Sequence, residues 1–228
     1  MKFKSVIFAQ ASGSIGGMTF SHNKGGKYTR ERVIPVNPAT PFQEVIRNAT
    51  TQLTNFWLDT LSVAERLAWE TYAENVTITD RLGEPLKLPP LAMYVRSNVS
   101  RLQQGLPRQD NAPTIFNLGG FASPSFTFAQ ATSTLSTTFD VDDGWVGEDD
   151  SAMLIYTSRE QNPTIKFFKG PYRLAGAIVG DATTPPTSPA DIITPFPAAV
   201  ANRVFVRVRV TRADGRLSED FRDLTVSA

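Results

Sequence analysis

The chain has 228 residues, 41% of them hydrophobic, and its 23 basic and 22 acidic residues leave a net charge of +1. That length suits one large domain or two small ones with a real core, while so even a charge balance excludes a global field steering the chain to nucleic acid or membrane. Cysteine is absent and His22 is the lone histidine, which excludes disulfides, thiol nucleophiles and Cys- or His-based metal centres.

The opening segment MKFKSVIFAQASG carries two lysines and the apolar run Val6-Ile7-Phe8-Ala9. Four residues are too few for the core of a signal peptide. The segment is expected as a strand lined by Phe3, Val6 and Phe8, in a protein used without Sec export. No apolar run nears the ~18–20 residues that span a bilayer. Gly13, Gly16 and Gly17 then offer backbone freedom, Met18-Thr19-Phe20 continues extended, and Asn23-Lys24-Gly25-Gly26 reads as a hairpin turn. A return strand over 28–36 places Tyr28, Arg30, Arg32 and Ile34 on one face. A two-stranded ribbon of this kind is marginal alone and must pack on its own chain or a neighbour.

Thr40, Pro41 and Gln43 form a capping-box pattern opening a helix over 41–58, whose stripe is Phe42, Val45, Ile46, Ala49, Leu53, Phe56 and Trp57. Ser62 and Glu65 form a second box. The helix that follows carries Leu67, Ala68, Trp69, Tyr72 and Ala73, and its proximity to the first predicts a helical hairpin. A third helix over 91–104 ends at Gly105, a natural left-handed cap. Residues 108–114 read as a linker, which sets the expected domains at 1–107 and 108–228.

Beyond it β-branched and aromatic residues alternate with Pro and Gly. Strands are expected over 125–129, 134–141, 153–158, 173–179, 203–211 and 216–226, with a turn at Ala213-Asp214-Gly215. Strands at this spacing indicate an all-β sandwich. The run Val204-Phe205-Val206-Arg207-Val208-Arg209-Val210 predicts a valine core face and a solvated Phe/Arg face. The proline-rich segment 182–197 is expected as an exposed loop.

No catalytic constellation emerges. The Ser12–Gly17 run SGSIGG fits neither the P-loop nor the dinucleotide fingerprint. His22 has no acid or nucleophile beside it. The acids Asp140, Asp142, Asp143, Glu148, Asp149 and Asp150 match no EF-hand spacing and are expected as a solvated loop, with a bound cation as the alternative. Trp57, Trp69 and Tyr72 are expected in the core, and Glu65 and Glu70 have capping or surface roles. Trp145 is the only tryptophan of the C-terminal part that looks exposed, so it would be the platform of any carbohydrate-binding surface. No enzymatic activity, cofactor or metal is expected.

Lys24, Lys27, Arg30 and Arg32, with Tyr28 among them, make the N-terminal ribbon basic. Salt bridges to an acidic patch on a neighbouring subunit are the expected use of that charge, ahead of nucleic-acid contact. The hypothesised subunit-contact set is Gly13, Gly16, Gly17, Lys24, Lys27, Tyr28, Arg30 and Arg32.

The pattern Ser12-Gly13-Ser14-Ile15-Gly16, Gly25-Gly26, Tyr28-Thr29-Arg30, Pro35-Val36-Asn37-Pro38-Ala39-Thr40, Gln43, Arg47, Trp57, Trp69 and Tyr72 resembles a group of uncharacterised structural proteins of tailed bacteriophages and prophages. The resemblance covers roughly residues 5–105 and brings no catalytic residues. It implies a particle component assembled in the host cytoplasm among other virion proteins and copies of itself: a head decoration protein first, a tail, neck or head–tail adaptor component second. The hairpin from Val204 through Ser218 is similar to the end of a fibronectin-III or immunoglobulin-type module, although the strand-B tryptophan is missing. The expected fold is thus α+β: a β-ribbon with three helices, then an Ig/FnIII-like sandwich.

Overall fold

The computed structural model describes residues 13–24, 26–80 and 83–228. The strand expected around Phe3–Phe8 and the turn residue Gly25 lie outside them. Two compact units are present, an arm over 1–41 and a body over 42–228. The described residues form three α-helices and twelve β-strands in antiparallel sheets, an α+β fold with more strand than helix.

The arm is a sheet of three strands rather than two: β1 (Gly13–Ile15), β2 (Met18–Asn23) and β3 (Gly26–Glu31), in that order. Gly16 has the positive φ, 57°, that a tight turn between β1 and β2 requires. The β2–β3 hairpin closes with Asn23 opposite Gly26. The return strand stops at Glu31 instead of reaching residue 36; Arg32 still donates its N–H to the Gly17 carbonyl at 2.8 Å.

In the body, α1 (Pro41–Asp59), α2 (Val63–Asn75) and α3 (Pro90–Gln103) form where the periodicity placed them. Ser62 caps α2 reciprocally: Glu65 N–H donates to Ser62 Oγ, and Ser62 N–H donates to the Glu65 carboxylate at 2.7 Å. α3 ends in a Schellman motif. Gly105 takes φ 71°, Leu106 N–H donates to Arg101 O, and Gly105 N–H donates to Leu102 O. Leu53, Trp69, Tyr72, Met93 and Tyr94 form the helical core. The Trp69 ring meets Tyr72 and Tyr94 edge-on at 5.8 and 5.4 Å, so Trp69 and Tyr72 are core residues as expected and Trp57 is half-buried against the same cluster.

A small hairpin, β4 (Ile78–Thr79) with β5 (Pro85–Leu86), precedes α3. The C-terminal half holds β6 (Ser125–Ala129), β7 (Thr134–Thr138), β8 (Ala152–Thr157), β9 (Arg173–Val179), β10 (Ala190–Ile193), β11 (Arg203–Thr211) and β12 (Phe221–Val226). They pair as β10-β7-β6 and β12-β11-β8-β9. Phe126, Phe128 and Leu135 of the first sheet share one cluster with Met153, Ile155, Ile178, Val206 and Val208 of the second.

Four local expectations are corrected. Segment 182–197 contains a strand, β10, antiparallel to β7; prolines bound it, as an edge position tolerates. The Cβ-less Gly176 leaves room for Ile192, whose Cγ2 would lie 3.0 Å from an added Cβ. Segment 108–114 is no loose linker. Trp69 Nε1–H donates to Asp110 O at 2.7 Å, Tyr94 OH donates to Asp110 Oδ1 at 3.1 Å, and Asn98 exchanges bonds with the Gln109 backbone. The Phe/Arg face of β11 is not solvated: Phe205 is buried, stacked on Phe168, and Arg207 lies 4.3 Å over the Tyr156 ring. Finally, the last strand starts at 221 rather than 216, because the Leu217 and Ser218 carbonyls accept from the Arg96 guanidinium at 2.7 and 2.9 Å.

That Arg96 clamp has a counterpart in Arg101, fully buried, whose Nε–H donates to Pro107 O and Nη1–H to Arg212 O. Arg216 Nη1–H reaches Asn117 Oδ1 at 2.7 Å, and Tyr72 OH donates to Asn117 O. These guanidinium-to-carbonyl bonds join the helices to the β11–β12 connection. The body is therefore one unit that spans the 107/108 position.

Candidate assembly surface

The register of the arm sorts its side chains onto two faces. Direct cross-strand partners share a face, and residues two apart along a strand do too. Thr19 faces Arg30, Ser21 faces Tyr28 and Ser14 faces Thr19, so Tyr28 and Arg30 lie together on a polar face. There the Ser14 and Thr19 hydroxyls hydrogen-bond at 2.8 Å. The other face carries Ile15, Met18, Phe20, His22, Lys27, Thr29 and Glu31. The structure thus brings Tyr28 and Arg30 together and puts Lys27 on the opposite face. Lys24 is exposed in the β2–β3 turn, and Arg32 is exposed just past β3.

The residues the sequence reading did not single out for contact are apolar. Ile15 is 77% exposed and Val36 is 91% exposed, with Met18, Val33 and Ile34 also uncovered. Five uncovered aliphatic side chains in 22 residues are an unusual load for a segment that must live in water. The return strand expected over 28–36 carries Val33, Ile34 and Val36, and because β3 ends at Glu31 they stand outside the sheet.

Space above the glycines is open as well. Among the described residues, a Cβ built at Gly13, Gly16, Gly17 or Gly26 meets no atom within 4 Å. Among the described residues the strand order leaves β1 and β3 as the two edges, and edge strands template pairing with another chain. Main-chain edges, open glycines and uncovered aliphatics suit association with a polypeptide.

The other sequence candidates resolve individually. His22 sits exposed on β2, opposite Lys27. Trp145 is 0% exposed, in the body core, with its ring 5.2 Å from Phe139. The exposed platform expected at Trp145 is therefore corrected: the fold buries the ring between the sheets' apolar side chains. Around it the acidic loop is partly internal. Asp143 accepts the Ala122 N–H at 3.0 Å, Glu148 pairs with Arg212 and accepts the Ala213 N–H, and Asp149 accepts the Ala182 N–H. Among the described residues no group of three or more acidic or histidine side chains could hold a metal ion. Nor is any described helix long and apolar enough to cross a membrane.

No protein-family model, curated protein or solved structure matches this chain.

Proposed function

We propose that this chain is a non-enzymatic structural protein of a bacteriophage particle, assembled onto neighbouring subunits through its N-terminal arm. The observation that carries this reading is the arm itself: a separate unit with two strand edges, open glycines and uncovered aliphatic side chains. Strand addition to a neighbour's sheet would supply main-chain hydrogen bonds, with apolar contacts adding specificity. Arg30 and Arg32 would meet acidic groups of that neighbour.

The body is proposed as the module that covers or projects from the shell, with the seven strands β6–β12 forming an Ig/FnIII-like sandwich. The strand orders support this. The first, second and fifth of the seven share one sheet, and the third, fourth, sixth and seventh share the other. That interleaving is the Greek-key pattern of such modules. Fold class alone assigns no function, so the reading rests on the arm.

Head decoration is the first choice of position, a tail or neck component the second. Copy number narrows the choice: on the order of a hundred or more copies accompany a shell or a tail tube, and about a dozen accompany the portal–neck axis. The test of the whole reading is removal of residues 1–36. The remaining chain is expected to keep its cooperative thermal transition and to be missing from purified particles. Truncated protein found in particles at normal copy number counts against the arm.

A further inference from the structure

The second region that addresses another molecule is in the body. A groove of about 340 Å³ runs between α1, α3 and the outer face of the β12-β11-β8-β9 sheet. Arg96, Arg173, Arg207 and Arg209 line it, and its wall contains no acidic side chain. Asp220, outside the lining, pairs with Arg209 and Arg222 and stands 4.0 Å from Arg207. Glu219, the next acid, accepts the Thr79 N–H. Arg96 and Arg173 have no salt bridge among the described residues; Arg96 spends its guanidinium on two carbonyls, and Arg173 lies over the Phe42 ring. Arg207 Nε–H has no acceptor. Four guanidiniums share roughly one carboxylate in a partly desolvated cleft, where like-charge repulsion is poorly screened. Burial, then the charge of Arg209, brings the Arg96 guanidinium down to about 10.

The chain carries the complement of this groove elsewhere. Asp140, Asp142 and Asp150 are exposed and form no salt bridge among the described residues. Their loop is pinned by Glu148 to Arg212 and by Asp149 to the Ala182 amide. It lies at the start of β8, and the groove residue Tyr156 is six residues further on, about 20 Å along a strand. The loop therefore does not reach the Arg173 end of the groove, where Arg173 pairs with Thr157, although Asp150 acts at closer range on Arg101 of α3.

We infer that the arginine groove docks the acidic loop 140–150 of a second copy. The contact joins two different surfaces, so it is head-to-tail and closes into a ring or propagates. It goes beyond the proposed function by adding a contact between copies of this chain, and it is independent of the arm.

The test uses the full chain in sedimentation velocity at low and high salt. Self-association is expected, weakening as salt rises. Arg173→Glu alone and the pair Asp142→Lys with Asp150→Lys are each expected to weaken it about tenfold or more. Mixing the two variants should restore it, because every mixed contact then joins opposite charges. Circular dichroism and melting of each variant establish that the fold survives. Three outcomes overturn the inference: a chain that stays monomeric at low salt, association indifferent to both reversals, or variants that fail to rescue each other. Inorganic phosphate raising the melting temperature without any change in association assigns the groove to a small oxyanion and overturns it too. Association lost on the charge reversals, with normal particle incorporation through the arm, separates this contact from the arm's.

Discussion

In the arm, a methyl group added at Gly13, Gly16, Gly17 or Gly26 would touch nothing; in the body, one added at Gly180 would lie 2.2 Å from the Trp145 carbonyl oxygen and 2.3 Å from Ser151 Oγ. The same residue type answers two different demands. Gly144, Gly176 and Gly180 of the body are closed in by the chain's own packing at close-packed density, while Gly105, Gly120 and Gly147 stand as open as those of the arm. Arm glycines leave a surface that no described residue fills. Charged residues divide the same way: Arg101 is buried in carbonyl bonds, whereas Arg30 and Arg32 stand in solvent. A region that has satisfied itself and one that has not are expected to respond oppositely to mutation.

The largest expected effect on stability is Gly180→Ala. Ser151 Oγ–H is shared by the Trp145 and Glu148 carbonyls, and Gly180 N–H donates to Ser151 O at 3.0 Å. A Cβ would have to part this turn and lift Trp145 from the core. The expected loss is about 3 kcal/mol or more, read from chemical denaturation. A loss below about 1 kcal/mol would mean that the turn yields freely and that the comparison overstates the body's rigidity.

Arg101→Ala comes next. It strips the Pro107 carbonyl of its guanidinium donor, leaves the Arg212 carbonyl with the Gly215 N–H alone and empties a fully buried volume, at an expected cost of about 3 kcal/mol. Burial already holds this guanidinium below the usual arginine range, and its Nη2 has no acceptor. Arg101→Met fills the volume without burying a charge, and is expected to recover about 1 kcal/mol of that loss. Arg30→Ala in the arm should leave melting unchanged. Equal costs at Arg101 and Arg30 would erase the distinction between the two regions.

These positions also show what the residues alone disclosed. Helices were legible because capping chemistry is local: Ser62, Glu65 and Gly105 act within one turn of themselves. Strand β11 was legible because its valines repeat every second residue over nine residues. The docking of 108–114 was not, since Asp110 is bonded by Trp69, 41 residues away, through a backbone carbonyl that has no residue code. Strand β10 was hidden for a similar reason, its pairing being with β7 across more than fifty residues of chain. Trp145 looked exposed beside acids, yet Asp143 and Glu148 hydrogen-bond inward around it while Asp140, Asp142 and Asp150 stay in solvent. Of the assembly surface, glycines and basic residues were visible. The separation of Lys27 from Arg30 needed the register, and the uncovered aliphatics needed a structure showing that nothing covers them.

The smallest expected effect on folding belongs to Gly17→Ala, and it probes the arm most sharply. Gly17 lies in the β1–β2 turn, outside the positive-φ glycines, and a Cβ there meets no atom of its own chain. Stability should stay within about 0.5 kcal/mol of wild type. Gly16→Ala is a poorer probe, because φ 57° would add strain of its own. If a neighbour's backbone closes onto this turn, the methyl of Gly17→Ala intrudes between two main chains, and hydrogen bonds across them lengthen or break. Particles assembled with the variant should then carry far less of it, despite an unchanged melt. Normal incorporation would show that the turn is not where the arm is gripped, and would move the contact to the edge of β3 and the aliphatic run Val33–Val36.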